Sequence, residues 1–137
     1  MEQAKKSVDE GGFPAGSVIV KDRKIISEGI SLGRKLKDPT EHAETLAIRK
    51  AFYNNGTYIN GAILYTALES CNMCFSVANW SGISRIVYGC RKTPEMVKNS
   101  YYEGLTDNNS LNESNNRKIE IIFIPDFEQE MLDLVKK

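Results

Sequence analysis

His42, Glu44, Cys71 and Cys74 are the residues whose types and spacing can do chemistry. His42-Ala43-Glu44 offers an imidazole and a carboxylate, and Cys71-Asn72-Met73-Cys74 offers two thiols three positions apart. One nitrogen and two sulfurs make a donor set that suits zinc. Structural zinc sites normally close with four protein ligands, whereas hydrolytic ones stop at three and keep a position for water, whose pKa then falls toward neutrality. His42 is the only histidine, and Cys90 lies well outside the cysteine pair, so a fourth soft ligand requires Cys90 to fold back onto the metal. The ligand count therefore favours an open catalytic site with Glu44 beside it. Alone, a Cys-x-x-Cys also fits a zinc knuckle or a redox pair, and a lone histidine is more often a core or surface residue. The two motifs in this order are what favour metal.

The geometry these motifs need follows from helix periodicity. Cys71 and Cys74 at the start of a predicted helix share one face, where free N–H groups and the helix dipole favour thiolate. Residues two apart, such as His42 and Glu44, diverge by roughly 200° around a helix of 3.6 residues per turn. Both reach one pocket only if it lies over the helix's N-terminal end. The expectation is that two helix N-termini converge on one zinc from the same side of a sheet. Hydrolysis at such a site needs a group that takes a proton from the metal water and delivers it to the reacting molecule, and a single carboxyl beside the metal can do both. Glu44 is placed for that role.

With these motifs the chain resembles the cytidine deaminase-like superfamily, in the branch of guanine deaminases, fungal-type cytosine deaminases and bacterial tRNA adenosine deaminases. The resemblance spans nearly the whole chain. Phe13-Pro14-Ala15-Gly16-Ser17-Val18-Ile19-Val20 is similar to the first pocket strand, Asp38-Pro39-Thr40-Glu41-His42-Ala43-Glu44 to the first metal motif, and Leu68-Glu69-Ser70-Cys71-Asn72-Met73-Cys74 to the second. It implies a three-layer αβα domain around a central five-stranded mixed sheet, one Zn2+ per chain on His42, Cys71 and Cys74, Glu44 as the catalytic carboxyl, and a homodimer. Phe13, Ser31 and Ala43 are the implied substrate contacts. Two departures stand out: Ser70 where the family usually has Pro, a residue that shapes a turn, and Ser31 where it usually has Asn. The second bears on the substrate, because a hydroxyl cannot make the two-point contact of an amide.

The supporting elements are legible in the apolar pattern. At 137 residues, 41% hydrophobic and 26% charged, the chain fits one globular domain, residues 1–137. Helix-like stretches at Gln3–Glu10, from Pro39 or Thr40 to Tyr53, at Cys71–Trp80, from Thr93, and around Phe127, Met131 and Leu134 alternate with five strand-like runs. The runs are Ser17–Lys21, Lys24–Ile30, Ala62–Thr66, Ile83–Tyr88 and Ile119–Ile124. This alternation argues for an α/β layered fold. Residues 107–118, polar and rich in asparagine, read as a loop. Trp80, Tyr101, Tyr102 and Asp107 are weaker candidates to close the site, and Cys90 reads as a buried thiol.

No run of 18 apolar residues and no signal-peptide pattern is present, so the reading is cytoplasmic, with no membrane partner. The triplets Asn55-Gly56-Thr57 and Asn112-Glu113-Ser114 are then coincidental glycosylation matches. Formal net charge is zero. Proteins that hold RNA concentrate Lys and Arg, so this neutrality disfavours tRNA as partner, although Arg34, Lys35 and Lys37 form a local basic patch. The Asp-Pro-Thr-x-His-Ala-Glu form is shared by guanine and tRNA adenosine deaminases, and fungal-type cytosine enzymes have Gly in place of Ala43. A small nucleobase or nucleoside, guanine-like first and cytosine next, is the expected substrate. tRNA adenosine deamination and a non-catalytic zinc-stabilised subunit are the rivals, and retention of Glu44 counts against the latter.

Overall fold

The computed structural model describes residues 1–55 and 59–136; most of the Asn55-Gly56-Thr57 triplet lies outside them. The elements run α1 (Glu2–Asp9), β1 (Gly16–Lys21), β2 (Lys24–Ile30), α2 (Gly33–Leu36), α3 (Ala43–Asn55), β3 (Ile63–Thr66), α4 (Asn72–Ser81), β4 (Arg85–Tyr88), α5 (Pro94–Lys98), α6 (Asn108–Ser114), β5 (Glu120–Phe123) and α7 (Glu128–Lys136). The strands form one five-stranded sheet in the order β2-β1-β3-β4-β5. β1 pairs antiparallel with β2 and β3, while β3, β4 and β5 are parallel. This is the mixed sheet the sequence implies.

Register decides which side chains meet the helices. Ile19 stands opposite Leu64, Leu64 opposite Ile86, and Ile86 opposite Ile121, so four apolar residues form a row across one face. Ala47, Ile48 and Ala51 of α3 and Phe75 and Ala78 of α4 pack on that row. The alanines let both helices lie close to the sheet. Gly29 sets the approach of α3: a Cβ there would overlap the Ala43 carbonyl oxygen at the first turn of the helix. α1 lies on the opposite face, where Gln3 donates to Glu28 at 3.0 Å. Met131 of α7 and α1 border an apolar groove there, lined by Val18, Ile25, Tyr65, Val87 and Phe127.

Three sequence expectations need correction. α3 begins at Ala43, not at Pro39 or Thr40. Asp38 instead accepts from the N–H and hydroxyl of Thr40, at 2.9 and 2.7 Å, closing a local turn that competes with helix. The first helical bond runs from Leu46 N–H to the His42 carbonyl at 3.0 Å, which puts His42 at the N-cap. Residues 107–118 are not all loop, since Asp107 caps α6 by accepting from Asn109 N–H at 2.9 Å. Phe127 belongs to a 3-10 turn, Pro125–Phe127, ahead of α7 and is half exposed. The short α2 was not anticipated.

Because Gly29 abuts the turn that starts α3, a methyl group there forces strand and helix apart. Gly29→Ala is expected to destabilise the protein by about 1–3 kcal/mol, as overpacking does, read as a drop in the chemical-denaturation midpoint.

Candidate active site

Both metal motifs sit at helix starts. Cys71 is the N-cap residue of α4, with its Sγ accepting from Cys74 N–H at 3.4 Å, and His42 is the N-cap of α3. Each cap is locally enforced. Thr45 Oγ1 accepts from His42 N–H at 3.0 Å and donates to the Thr40 carbonyl at 2.6 Å. Glu41, largely buried, pairs with Arg49 eight residues further on and accepts from Leu32 N–H through its carbonyl at 3.0 Å. α4 ends at Gly82, whose positive φ of 87° closes the helix through bonds to the Ala78 and Asn79 carbonyls.

His42 Nδ1 lies 3.5 Å from Cys71 Sγ and 3.4 Å from Cys74 Sγ, and the three donor atoms fall within 4.8 Å of one another. Tetrahedral zinc with ordinary Zn–S and Zn–N bond lengths requires S···N separations of about 3.5 Å. The donor set therefore fits zinc in both chemistry and spacing. Among the described residues this is the cluster that could hold a metal ion, and Cys90 is not part of it. Cys90 is a fully buried thiol whose pKa burial raises to about 11, as the sequence suggested.

The electrostatics suit metal binding and proton transfer. The Cys71 thiol is lowered to about 6, chiefly by its hydrogen bond with Cys74 and, against its burial, by His42. Cys74 is pushed up by sharing that proton with Cys71 and by burial. The bond to Cys71 raises His42. Burial, with the Cys71 charge, lifts the Glu44 carboxyl from its ordinary 4.5 to about 7. A carboxyl that titrates near neutrality is suited to both taking and giving a proton.

A cavity of about 350 Å³ opens above this cluster, lined by Phe13, Ser31, His42, Ala43, Glu44 and Cys71. All three candidate substrate contacts from the sequence thus reach it. Tyr101 and Tyr102 line it as well, with Tyr101 against Phe13 at 4.4 Å between ring centroids. Trp80 and Asp107 do not: Trp80 is 91% exposed on α4, and Asp107 serves as the α6 cap. Sequence reasoning placed Arg34 only in a local basic patch and missed Asn99 and Ser100 on the cavity wall. It also missed Ser7, a buried α1 residue whose Oγ donates to the Phe13 carbonyl at 2.5 Å and accepts from Ser31 N–H at 3.2 Å. Its signal, a small polar residue on the apolar face of a short helix, is too common to single out.

Residues 1–90 match the family described as the cytidine and deoxycytidylate deaminase zinc-binding region. The chain is 39% identical over 89 residues to the tRNA-specific adenosine deaminase of Aquifex aeolicus, covering 64% of this chain and 59% of that protein. It is 43% identical over 83 residues to the guanine deaminase of Bacillus subtilis, covering 60% of this chain and 53% of that one. The matched region thus spans little more than half the length of these relatives. A structure from work on A-to-I editing by tRNA deaminases at the wobble position of transfer RNA superposes with a TM-score of 0.81 and 26% identity, covering 97% of this chain and 93% of that one.

Glu44 gives the site a pH signature in zinc-free protein. Its folded pKa, about 7, exceeds the ordinary 4.5, so the folded state holds the extra proton and stability falls as pH rises between those values. The penalty is absent below about pH 4.5 and complete above about pH 7, at up to about 3 kcal/mol. Zinc-free Glu44→Gln is expected to exceed wild type in stability at pH 8 and to lose most of that margin at pH 5, measured by urea denaturation at both values.

Proposed function

This chain belongs to the cytidine and deoxycytidylate deaminase zinc-binding family, and we propose that it is a hydrolytic deaminase replacing an amino group of a nucleobase by a carbonyl, with release of ammonia. The observation that carries this reading is the position of Glu44. It is a buried carboxyl on the cavity floor beside the three-donor cluster, with a proton available near neutral pH. His42, Cys71 and Cys74 would hold the ion. Zinc bound there supplies a Lewis acid that lowers the pKa of a coordinated water.

Glu44 takes a proton from the attacking water and delivers it to the ring nitrogen next to the carbon under attack. It then carries the second proton to the departing nitrogen, so that amine plus water become carbonyl plus ammonia. Phe13 offers a flat apolar wall against which a base stacks, with Tyr101 packed against it. Ser31 offers one hydroxyl to the base edge, at the position where the resemblance to the superfamily implies an asparagine. Ala43, fully buried at the first turn of α3, leaves room beside the metal.

A guanine-like purine is the first substrate on this reading, with cytosine next. The guanine deaminase relative and the zero formal charge support it. A second reading, deamination of adenosine in tRNA, is favoured by the tRNA-specific relative and by Arg34 at the cavity wall, next in sequence to Lys35 and near Lys37. In addition, two carboxylates of the acidic C-terminal helix are neutralised, Glu128 by Arg91 and Glu130 by Lys5, each at 2.8 Å. The 137 residues are read as one deaminase domain acting as a homodimer.

Ammonia release by zinc-loaded protein should be measured with guanine, cytosine, adenine, their nucleosides and an anticodon stem-loop. Turnover of guanine is the expected result, with Glu44→Ala lowering the rate about a hundredfold or more. Turnover of the stem-loop alone would move the protein to the RNA reading. Silence on every substrate by zinc-bound protein would contradict the deaminase reading.

A further inference from the structure

Ser70 stands where the family signature carries proline, immediately before the first cysteine. Proline would fix that turn through its ring. Ser70 does nothing comparable with its own side chain: its Oγ is buried and makes no hydrogen bond by geometry, although it lies close enough to Glu44 to favour the ionised carboxyl slightly. Its backbone N–H also donates to no backbone acceptor among the described residues. Something else must hold the turn.

The partner is Asn108, a residue of the segment that composition alone marks as loop. Its Nδ2 donates to the Ser70 carbonyl at 2.7 Å in a buried bond, and its Oδ1 accepts from Asn72 Nδ2 at 2.9 Å. One side-chain amide thus grips the chain on both sides of Cys71. Asn108 is 4% exposed. The helix that presents it is itself anchored, since Leu111 packs on the main core and Asn112 makes a two-point contact with Ile119, accepting from its N–H at 2.9 Å and donating to its carbonyl at 2.8 Å. Neighbouring bonds restrain the flanks of the same turn. Tyr102 Oη donates to the Glu69 carbonyl at 2.7 Å, and the Glu103 carboxylate accepts from Asn72 and Met73 N–H at 3.2 and 3.0 Å. Of these groups, Asn108 is the one that fixes the peptide preceding the metal ligand.

We propose that Asn108 is a positioning residue for the cysteine ligands, restraining by hydrogen bonds the turn that a proline at position 70 would restrain through its ring. The proposal rests on His42, Cys71 and Cys74 being the zinc site. Partners that orient metal ligands without touching the metal typically contribute about tenfold to a hundredfold in metal affinity. Losing the Asn108 amide should therefore loosen zinc, and a proline at 70 should compensate, because no bond donated by the Ser70 N–H is found among the described residues and the carbonyl that Asn108 grips is retained.

Zinc affinity is measured by competition with a chromogenic chelator, and the thermal midpoint of zinc-free protein is recorded alongside. The variants are Asn108→Ala, Asn108→Asp, Asn79→Ala and the double variant Ser70→Pro/Asn108→Ala. Asn79 is the control, because its Nδ2 donates to the Arg117 carbonyl at 2.9 Å from the far end of α4. Asn108→Ala and Asn108→Asp are expected to lower zinc affinity by about tenfold to a hundredfold, Asn79→Ala to leave it unchanged, and the double variant to recover most of the loss. Wild-type affinity in Asn108→Ala, or equal losses in Asn79→Ala and Asn108→Ala, overturns the proposal alone. Absence of zinc binding by wild type overturns the metal-site reading and the proposal with it.

Discussion

Two helix N-termini aimed at one point are the constraint on which the rest of the structure depends. A helix start leaves N–H groups without partners and carries the positive end of the dipole, so it stabilises thiolate and favours ligands placed at the cap. With His42 at the cap of α3 and Cys71 at the cap of α4, three donors from two distant parts of the chain meet within 4.8 Å. The geometry survives only if both helices keep their depth and rotation against the sheet. The row Ile19, Leu64, Ile86 and Ile121 supplies the depth, and the absent side chain of Gly29 admits the start of α3.

Around that point the protein divides the work between its two ends. Residues 7–45 contribute one wall of the cavity, with Ser7 tying Phe13 to Ser31 and Thr45 fixing His42. Residues 99–108 brace the other side, where Tyr102 both lines the cavity and holds the Glu69 carbonyl. The second segment therefore touches the cavity and the turn before Cys71 at once. Burial of Glu44 within this frame trades stability for a carboxyl that titrates near neutral pH, as expected where pKa values are set for proton transfer.

How much of this was legible in the sequence depends on what kind of interaction carries each part. The five strands and the cysteine helix follow from local apolar patterning, which the tertiary fold reinforces. The start of α3 was misplaced because Asp38 and Thr40, good capping types, spend their hydrogen bonds on a turn instead. α6 was missed because its one apolar anchor, Leu111, carries no periodicity; its stability comes from the Asp107 cap and the Asn112 clamp, both made of residues that also favour loops. The ligand set was readable because few residue types bind zinc and the chain has only one histidine and three cysteines. The bracing residues Ser7 and Asn108 were not, since their meaning lies in contacts across long sequence separations.

Zinc-edge X-ray absorption on the zinc-loaded protein, with metal content quantified per chain, shows whether His42, Cys71 and Cys74 hold the ion. The expected result is one zinc per chain with two sulfur scatterers at about 2.3 Å and one imidazole, the remaining position being held by a lighter oxygen or nitrogen atom. Three or four sulfurs, or a protein that retains no zinc, would contradict it.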